Sequence, residues 1–154
     1  MSAQVRTATL ADAPRLAQLH AAIFDEKWNA EAFEIMLAVP GSFCLIAEEP
    51  PNALQGFILA RAAAGEAEIL SLGTLEPSRR RGLARSLVVA VAEEATRRGA
   101  GEIFLEVAAD NAPALILYGA LGFATVGTRP GYYRNLRGPA ATAFTLRAAL
   151  PLSL

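Results

Sequence analysis

The sequence predicts an α/β fold, a sheet with helices on its faces. Three observations carry this. Short apolar runs of strand length alternate with segments whose apolar residues recur every three or four positions. The resulting order, β-α-α-β-β-β-α-β-α-β-β, interleaves the two kinds of element instead of segregating them. Finally, 154 residues with 53% apolar content and a net charge of −1 suffice for one packed core and exclude a mainly disordered chain. A single domain over residues 1–154 is expected.

The first strand is short, over residues 5–8. Asp12 then caps a helix that carries Leu16, Leu19 and Ile23 on one face, with Pro14 tolerated in the first turn. A second helix covers 30–37 and ends at Pro40-Gly41, with Trp28 in the bend between the two. Strands at 43–48 and 54–60 flank the turn Glu49-Pro50-Pro51-Asn52. A further strand covers 66–72. After a basic turn comes a helix with Leu83, Leu87, Val91 and Ala95 in one stripe and Gly99 as its stop. Glu93 with Arg97 and Glu94 with Arg98 are spaced as i,i+4 pairs. In the strand over 102–108, Ile103, Leu105 and Val107 face one way and Phe104, Glu106 and Ala108 the other. Apolar residues on both faces predict a strand covered on both sides. Asp110 or Asn111 caps the next helix, which ends at Gly122, and strands near 123–126 and 141–146 close the fold.

Several functional classes drop out. No uninterrupted apolar run reaches the roughly 18 residues of a membrane span, and the first six residues lack the flank and apolar core of a secretion signal. Cys44 is the single cysteine, which fits a reducing cytosol, so a cytoplasmic location is expected. With His20 the single histidine, no His/Cys metal cluster is expected. The near-neutral charge gives no case for direct nucleic-acid binding. Positive charge is nevertheless local: Arg79, Arg80, Arg81 and Arg85 form one group, and Arg129, Arg134 and Arg137 a second, which suits an acidic partner or a solvated face. Lys27 is the one lysine, so the positive groups are nearly all guanidinium, suited to planar oxyanions.

Two segments carry chemistry. In the first, a strand leads through Arg79-Arg80-Arg81-Gly82-Leu83-Ala84 into a helix. A helix start offers unpaired N–H groups and the positive end of its dipole, and small residues let an anion approach them. The pattern is neither a Walker loop nor the three-glycine dinucleotide fingerprint. A solvated basic turn capping an ordinary helix fits this segment equally well. In the second, Glu106 sits near the C-terminal end of an apolar strand, where open α/β sheets bind ligands. Asn111 and Tyr118 follow, about two helical turns apart and so on one helix face. Glu106 suits a general base and Tyr118 a proton donor, although a surface glutamate and a core tyrosine share the same pattern.

Together these residues resemble the GNAT superfamily of acetyl-coenzyme A-dependent N-acetyltransferases. Arg79-x-x-Gly82-x-Ala84 is similar to that family's Gln/Arg-x-x-Gly-x-Gly/Ala diphosphate loop, with Ala84 in place of the commoner glycine. Asn111, Tyr118 and Leu121-Gly122-Phe123 are similar to its Asn…Leu-Tyr…Leu-Gly-Phe element. Within the superfamily the chain looks most like the bacterial ribosomal-protein-alanine N-acetyltransferases. Glu68-Ile69-Leu70, Leu105-Glu106-Val107 and Arg129-Pro130-Gly131-Tyr132-Tyr133 add to that likeness.

The resemblance implies a mixed, mostly antiparallel central sheet with helices on both faces, and acetyl-CoA as cosubstrate without a metal. It implies Glu106 as proton acceptor and Tyr118 as proton donor to the thiolate. Leu72, Gly73 and Thr74 would bind the pantetheine arm; Arg80, Arg81, Gly82, Leu83, Ala84 and Arg85 the pyrophosphate; Asn111 the cofactor. The Leu72-Gly73-Thr74 run is less β-branched than is usual there, which leaves the shape of the strand's bulge open. The implied acceptor is a protein or peptide N-terminus, that of a small-subunit ribosomal protein, taken in a groove around Trp28, Tyr132 and Tyr133. The implied state is a monomer or weak homodimer with no membrane partner. A GNAT enzyme acting on a small amine, an antibiotic or a lysine side chain is the alternative, followed by a non-catalytic acetyl-CoA sensor.

Overall fold

The computed structural model describes residues 3–49, 53–75, 82–130 and 142–154. The expected order of elements is present: β1 (Gln4–Thr7), α1 (Ala13–Ile23), α2 (Ala30–Ala38), β2 (Ser42–Glu49), β3 (Ala53–Ala63), β4 (Glu66–Thr74), α3 (Leu83–Arg97), β5 (Glu102–Ala108), α4 (Ala112–Ala120), β6 (Ala124–Arg129) and β7 (Ala143–Ala149). A 3₁₀ turn, Leu10–Asp12, leads into α1. The strands form one seven-stranded sheet in the order β1-β2-β3-β4-β5-β7-β6. All neighbours are antiparallel except β4 and β5, which run parallel. The mixed, mostly antiparallel sheet implied by the sequence resemblance is the sheet observed.

Side-chain alternation sorts the core into two layers. Phe43, Leu45, Ala47, Ile58 and Ala60 point to the α3 face, where they bury the Leu83, Leu87, Val91 and Ala95 stripe. Cys44, Ile46, Phe57 and Leu59 point to the other face and meet Leu16, Leu19 and Phe33 of α1 and α2. Each large side chain so buried contributes about 1.5–3 kcal/mol, which clamps β2 and β3 between the helices.

Three local expectations are corrected, and the place of the β4 bulge, left open by the sequence, is found. Asp12 stands at the start of α1, but its side chain makes no cap bond. Arg6 takes both carboxylate oxygens, at 2.9 and 3.0 Å, and the Thr9 N–H donates to one of them at 2.8 Å. A bidentate guanidinium contact outweighs a single cap bond. Arg97 bonds Glu94 instead of Glu93, so Glu94 carries both Arg97 and Arg98. The third correction concerns β5. Ile103, Leu105 and Val107 are buried, but Phe104, Glu106 and Ala108 are only half-buried, because α1 and α2 pack over β2, β3 and part of β4. One face of β5 is therefore open. Lastly, the β4 bulge lies upstream of Leu72-Gly73-Thr74. Leu59 pairs with Ser71 and Ala60 with Ile69, leaving Leu70 as the extra residue.

That bulge positions the site. β4 and β5 pair only from Glu66↔Glu102 to Glu68↔Phe104, although β4 continues to Thr74 and β5 to Ala108. A bulge raises the local twist and bends its strand. The end of β4 thus swings away from β5, and a wedge opens in the middle of the sheet with unpaired backbone groups along its sides.

Candidate active site

Glu106 lies on the open face of β5, between two residues that anchor the strand in the core. Thr145 on β7 donates its hydroxyl to Glu106 Oε1 at 3.0 Å. Arg129 Nη1 stands 3.5 Å from the same oxygen. The other oxygen, Oε2, is buried and has no hydrogen-bond partner among the described residues. One carboxylate oxygen is thus tethered by β7.

Tyr118 projects from α4 on the other side of the sheet, buried and edge-on to Phe123 with ring centroids 5.2 Å apart. Burial raises its phenol above the usual tyrosine range, so it stays a donor at all working pH values. Glu106 and Tyr118 belong to opposite faces of the sheet, yet both line one cavity of about 290 Å³ with Leu70 and Leu72. Two faces can share a cavity only where the sheet is interrupted, and the wedge supplies that interruption.

The turn before α3 has the expected local form. Gly82 adopts φ +71°, the left-handed region that favours glycine. Its carbonyl accepts the first helical bond from Ser86 N–H at 3.1 Å. The N–H groups of Leu83, Ala84 and Arg85 therefore face outward without helical partners. No acidic residue occupies the first turn of α3. Gly82, Ala84 and Arg85 line a cavity of about 400 Å³ together with Leu72, Gly73 and Thr74. Among the described residues, a Cβ at Gly82 would meet nothing within 4 Å. Open space, unpaired donors, an arginine and an unpaired strand edge fit the diphosphate and the amide-bearing arm of an acyl-CoA.

Six of the expected cofactor residues thus meet in one cavity, while Leu83 and Asn111 are placed differently. The Leu83 side chain is buried in the core, leaving only its backbone N–H to offer. Asn111 lines the Glu106–Tyr118 cavity instead, and its Oδ1 is engaged by Ala114 N–H at 3.2 Å as the cap of α4. Arg80 and Arg81 lie outside the described residues, as do Tyr132, Tyr133, Arg134 and Arg137. Cys44 is fully buried in β2, where burial pushes its thiol up to about 12, so it is no nucleophile.

Two features were not anticipated from the sequence. Thr145 meets Glu106 only through the β5–β7 register, and its sole sequence signal is a polar residue on a closing strand. The second is a cavity of about 540 Å³ beside the wedge, bounded by His20, Phe24, Trp28 and the Glu68–Ser71 stretch and reaching Glu106. Of the residues expected around the acceptor groove, Trp28 lies among the described residues and lines this cavity.

Comparisons with known proteins give the family. The acetyltransferase (GNAT) family pattern matches residues 13–123. The N-alpha-acetyltransferase RimI of Mycobacterium tuberculosis is 36% identical over 145 residues, covering 90% of this chain and 87% of that protein. The [ribosomal protein bS18]-alanine N-acetyltransferase of Escherichia coli K12 is 31% identical over 101 residues, 66% of either chain. A longer Mycobacterium leprae relative is 34% identical, and the chain spans 36% of its length. Among solved structures, the ribosomal-protein-S18-alanine N-acetyltransferase of Escherichia coli superposes with a TM-score of 0.85 at 21% identity, covering 99% of this chain and 96% of that one. The chain belongs to the GNAT acetyltransferase family, whose members are acetyl-CoA-dependent N-acetyltransferases.

Proposed function

We propose that the chain acetylates the N-terminal α-amine of a protein in the cytoplasm, the acceptor being the N-terminal alanine of a ribosomal protein. One observation carries the catalytic half of this reading. Glu106, with one carboxylate oxygen unpartnered among the described residues, lines the same wedge as a buried, protonated Tyr118. The acceptor half is supported by the names of the Mycobacterium tuberculosis and Escherichia coli relatives.

When bound, acetyl-CoA supplies an acetyl thioester whose carbonyl carbon is open to a neutral amine. A terminal amine has a pKa of about 7.7–8.0, so part of it is already neutral at pH 7. Glu106 Oε2 accepts the proton from the remainder, directly or through one water. Tyr118 donates its phenolic proton to the departing thiolate sulfur and is reprotonated, through solvent, by the proton that the nitrogen sheds as the amide forms. The N–H groups of Leu83, Ala84 and Arg85 hold the diphosphate, and the free edge of β4 aligns the pantetheine arm. Holding both substrates in one wedge supplies much of the acceleration through orientation.

The test is acetyl transfer to a panel: an N-terminal alanine peptide from a small-subunit ribosomal protein, lysine peptides blocked at the N-terminus, and small amines. Preference for the alanine peptide supports the reading. Equal or better turnover of lysine peptides or small amines contradicts it.

A further inference from the structure

We propose that Phe24, seated on the bare backbone of Gly73, is the wall that limits the transferred acyl group to acetyl. This rests on the reading of the cavity at Gly82 as the acyl-CoA site and adds to it the size class of the acyl group. Phe24 lines the 400 Å³ cavity that Gly73, Gly82 and Arg85 also border. It lines the 540 Å³ cavity that reaches Glu106 as well. Among the described residues it alone borders both.

That position matters because the acyl carbon is bonded first to the sulfur of one substrate and then to the nitrogen of the other. The transfer therefore happens where the two spaces adjoin. In this reading the sulfur lies in the wedge by Tyr118, which leaves the Phe24 side for the acyl tail. A methyl group asks little room there. Each further carbon has to be accommodated against the ring, and one methylene more or fewer against an apolar wall is worth about 10–200-fold in selectivity.

The ring is held from behind and has nowhere to retreat. α1 ends at Phe24, whose N–H donates to the His20 carbonyl at 2.8 Å before the backbone turns extended. The side chain is half-buried. The His20 ring lies 4.6 Å from it between centroids, and Phe57 stands edge-on at 6.3 Å. Both of these neighbours are buried, Phe57 completely. Gly73 completes the seat. A Cβ there would stand 3.0 Å from Phe24 Cε2 and from Phe57 Cε1, and 3.1 Å from Ile23 Cδ1. The aromatic side chains thus fill the room that a side chain at position 73 would take. Gly73 lies outside the left-handed region, so packing is what calls for glycine at this point of β4. Moving Phe24 aside for a longer acyl chain would require displacing Phe57 within a close-packed core.

The test titrates the full chain with acetyl-CoA, propionyl-CoA and butyryl-CoA by calorimetry, then measures transfer from each to the best acceptor of the panel above. The native chain should bind acetyl-CoA at least about tenfold more tightly than butyryl-CoA, with propionyl-CoA between them. In Phe24→Leu that ratio should narrow. In Phe24→Ala it should fall to within about twofold, and butyryl transfer should appear. A ratio measured within one protein does not depend on how much of it is folded. Equal binding of acetyl-CoA and butyryl-CoA by the native chain, or a ratio unchanged in both Phe24 variants, overturns the inference and leaves the cavity assignment standing. Gly82→Val separates the two readings. Weaker binding of both thioesters with their ratio kept supports the cavity as the acyl-CoA site; unchanged binding of both overturns that assignment and this inference with it.

Discussion

Thr145 and Glu106 are direct partners in the β5–β7 ladder, and the threonine hydroxyl donates to Oε1 of the glutamate at 3.0 Å. The β-branched side chain has few rotamers, so the carboxylate inherits its direction from the sheet itself. Thr145→Val should lower kcat about tenfold, the worth of one hydrogen bond to a charged group. KM for acetyl-CoA should hold, and Thr145→Ser should restore most of the activity. Steady-state kinetics on the three proteins checks this; a fully active valine variant would remove the positioning role.

If Glu106 removes a proton from the acceptor amine, the variant Glu106→Gln should be worst where most of that amine is charged. Its loss in kcat/KM should shrink as pH rises past the amine's pKa of about 8, since the amine then arrives neutral. A pH–rate comparison with the native chain reads this directly. An equal loss at all pH values would point to positioning instead.

Gly82 sits at φ +71°, and no described residue lies near its missing side chain, so it is the backbone conformation that favours glycine there. Gly82→Val should cost about 1–2 kcal/mol of left-handed strain and misdirect the first N–H groups of α3. The expected outcome is a KM for acetyl-CoA raised severalfold with kcat at saturation largely retained. An unchanged KM would separate this turn from cofactor binding.

Arg6 ties β1 to Asp12 and to Glu48 of β2, while Arg15 reaches the same two carboxylates. Asp12 is buried, and the Arg6 hydrogen bonds hold its pKa down at about 2 against the opposing effect of burial. A depressed folded pKa stabilises the fold above the unfolded value of about 3.9, and that stability is lost as pH falls through the folded value. The contribution is about 2 kcal/mol. Glu48 is shifted downward by Arg6 and Arg15 and acts in the same sense. Arg6→Ala should therefore lower stability at pH 7 by about 2 kcal/mol, since the buried carboxylate loses its bidentate partner and keeps only Thr9 N–H and the longer Arg15 contact. It should also flatten the loss of stability between pH 5 and pH 2. Denaturant unfolding of both proteins across that range is the check; parallel curves would contradict it.

The helices and strands were legible because their signals are local. The Leu83–Ala95 stripe, the alternation in β5 and the glycine before α3 each declare themselves within a few residues. The features that make the wedge are not local. Leu70 reads as one more apolar strand residue, and only the β3 register reveals it as the bulge. Phe104 and Ala108 read as core, yet they border an open face because α1 and α2 do not extend over β5. Asp12 has the composition of a cap, but a guanidinium six residues upstream wins it. Glu106 and Tyr118 were legible as residue types; their meeting depends on the parting of β4 and β5, which periodicity does not encode.

Tyr118→Phe offers the most decisive measurement, because phenylalanine keeps the edge-on packing against Phe123 and removes only the phenolic oxygen. With acetyl-CoA and an alanine peptide, kcat should fall at least roughly tenfold while the affinity for acetyl-CoA barely changes. A variant that turns over at the native rate would mean that the proton reaching the sulfur does not come from Tyr118.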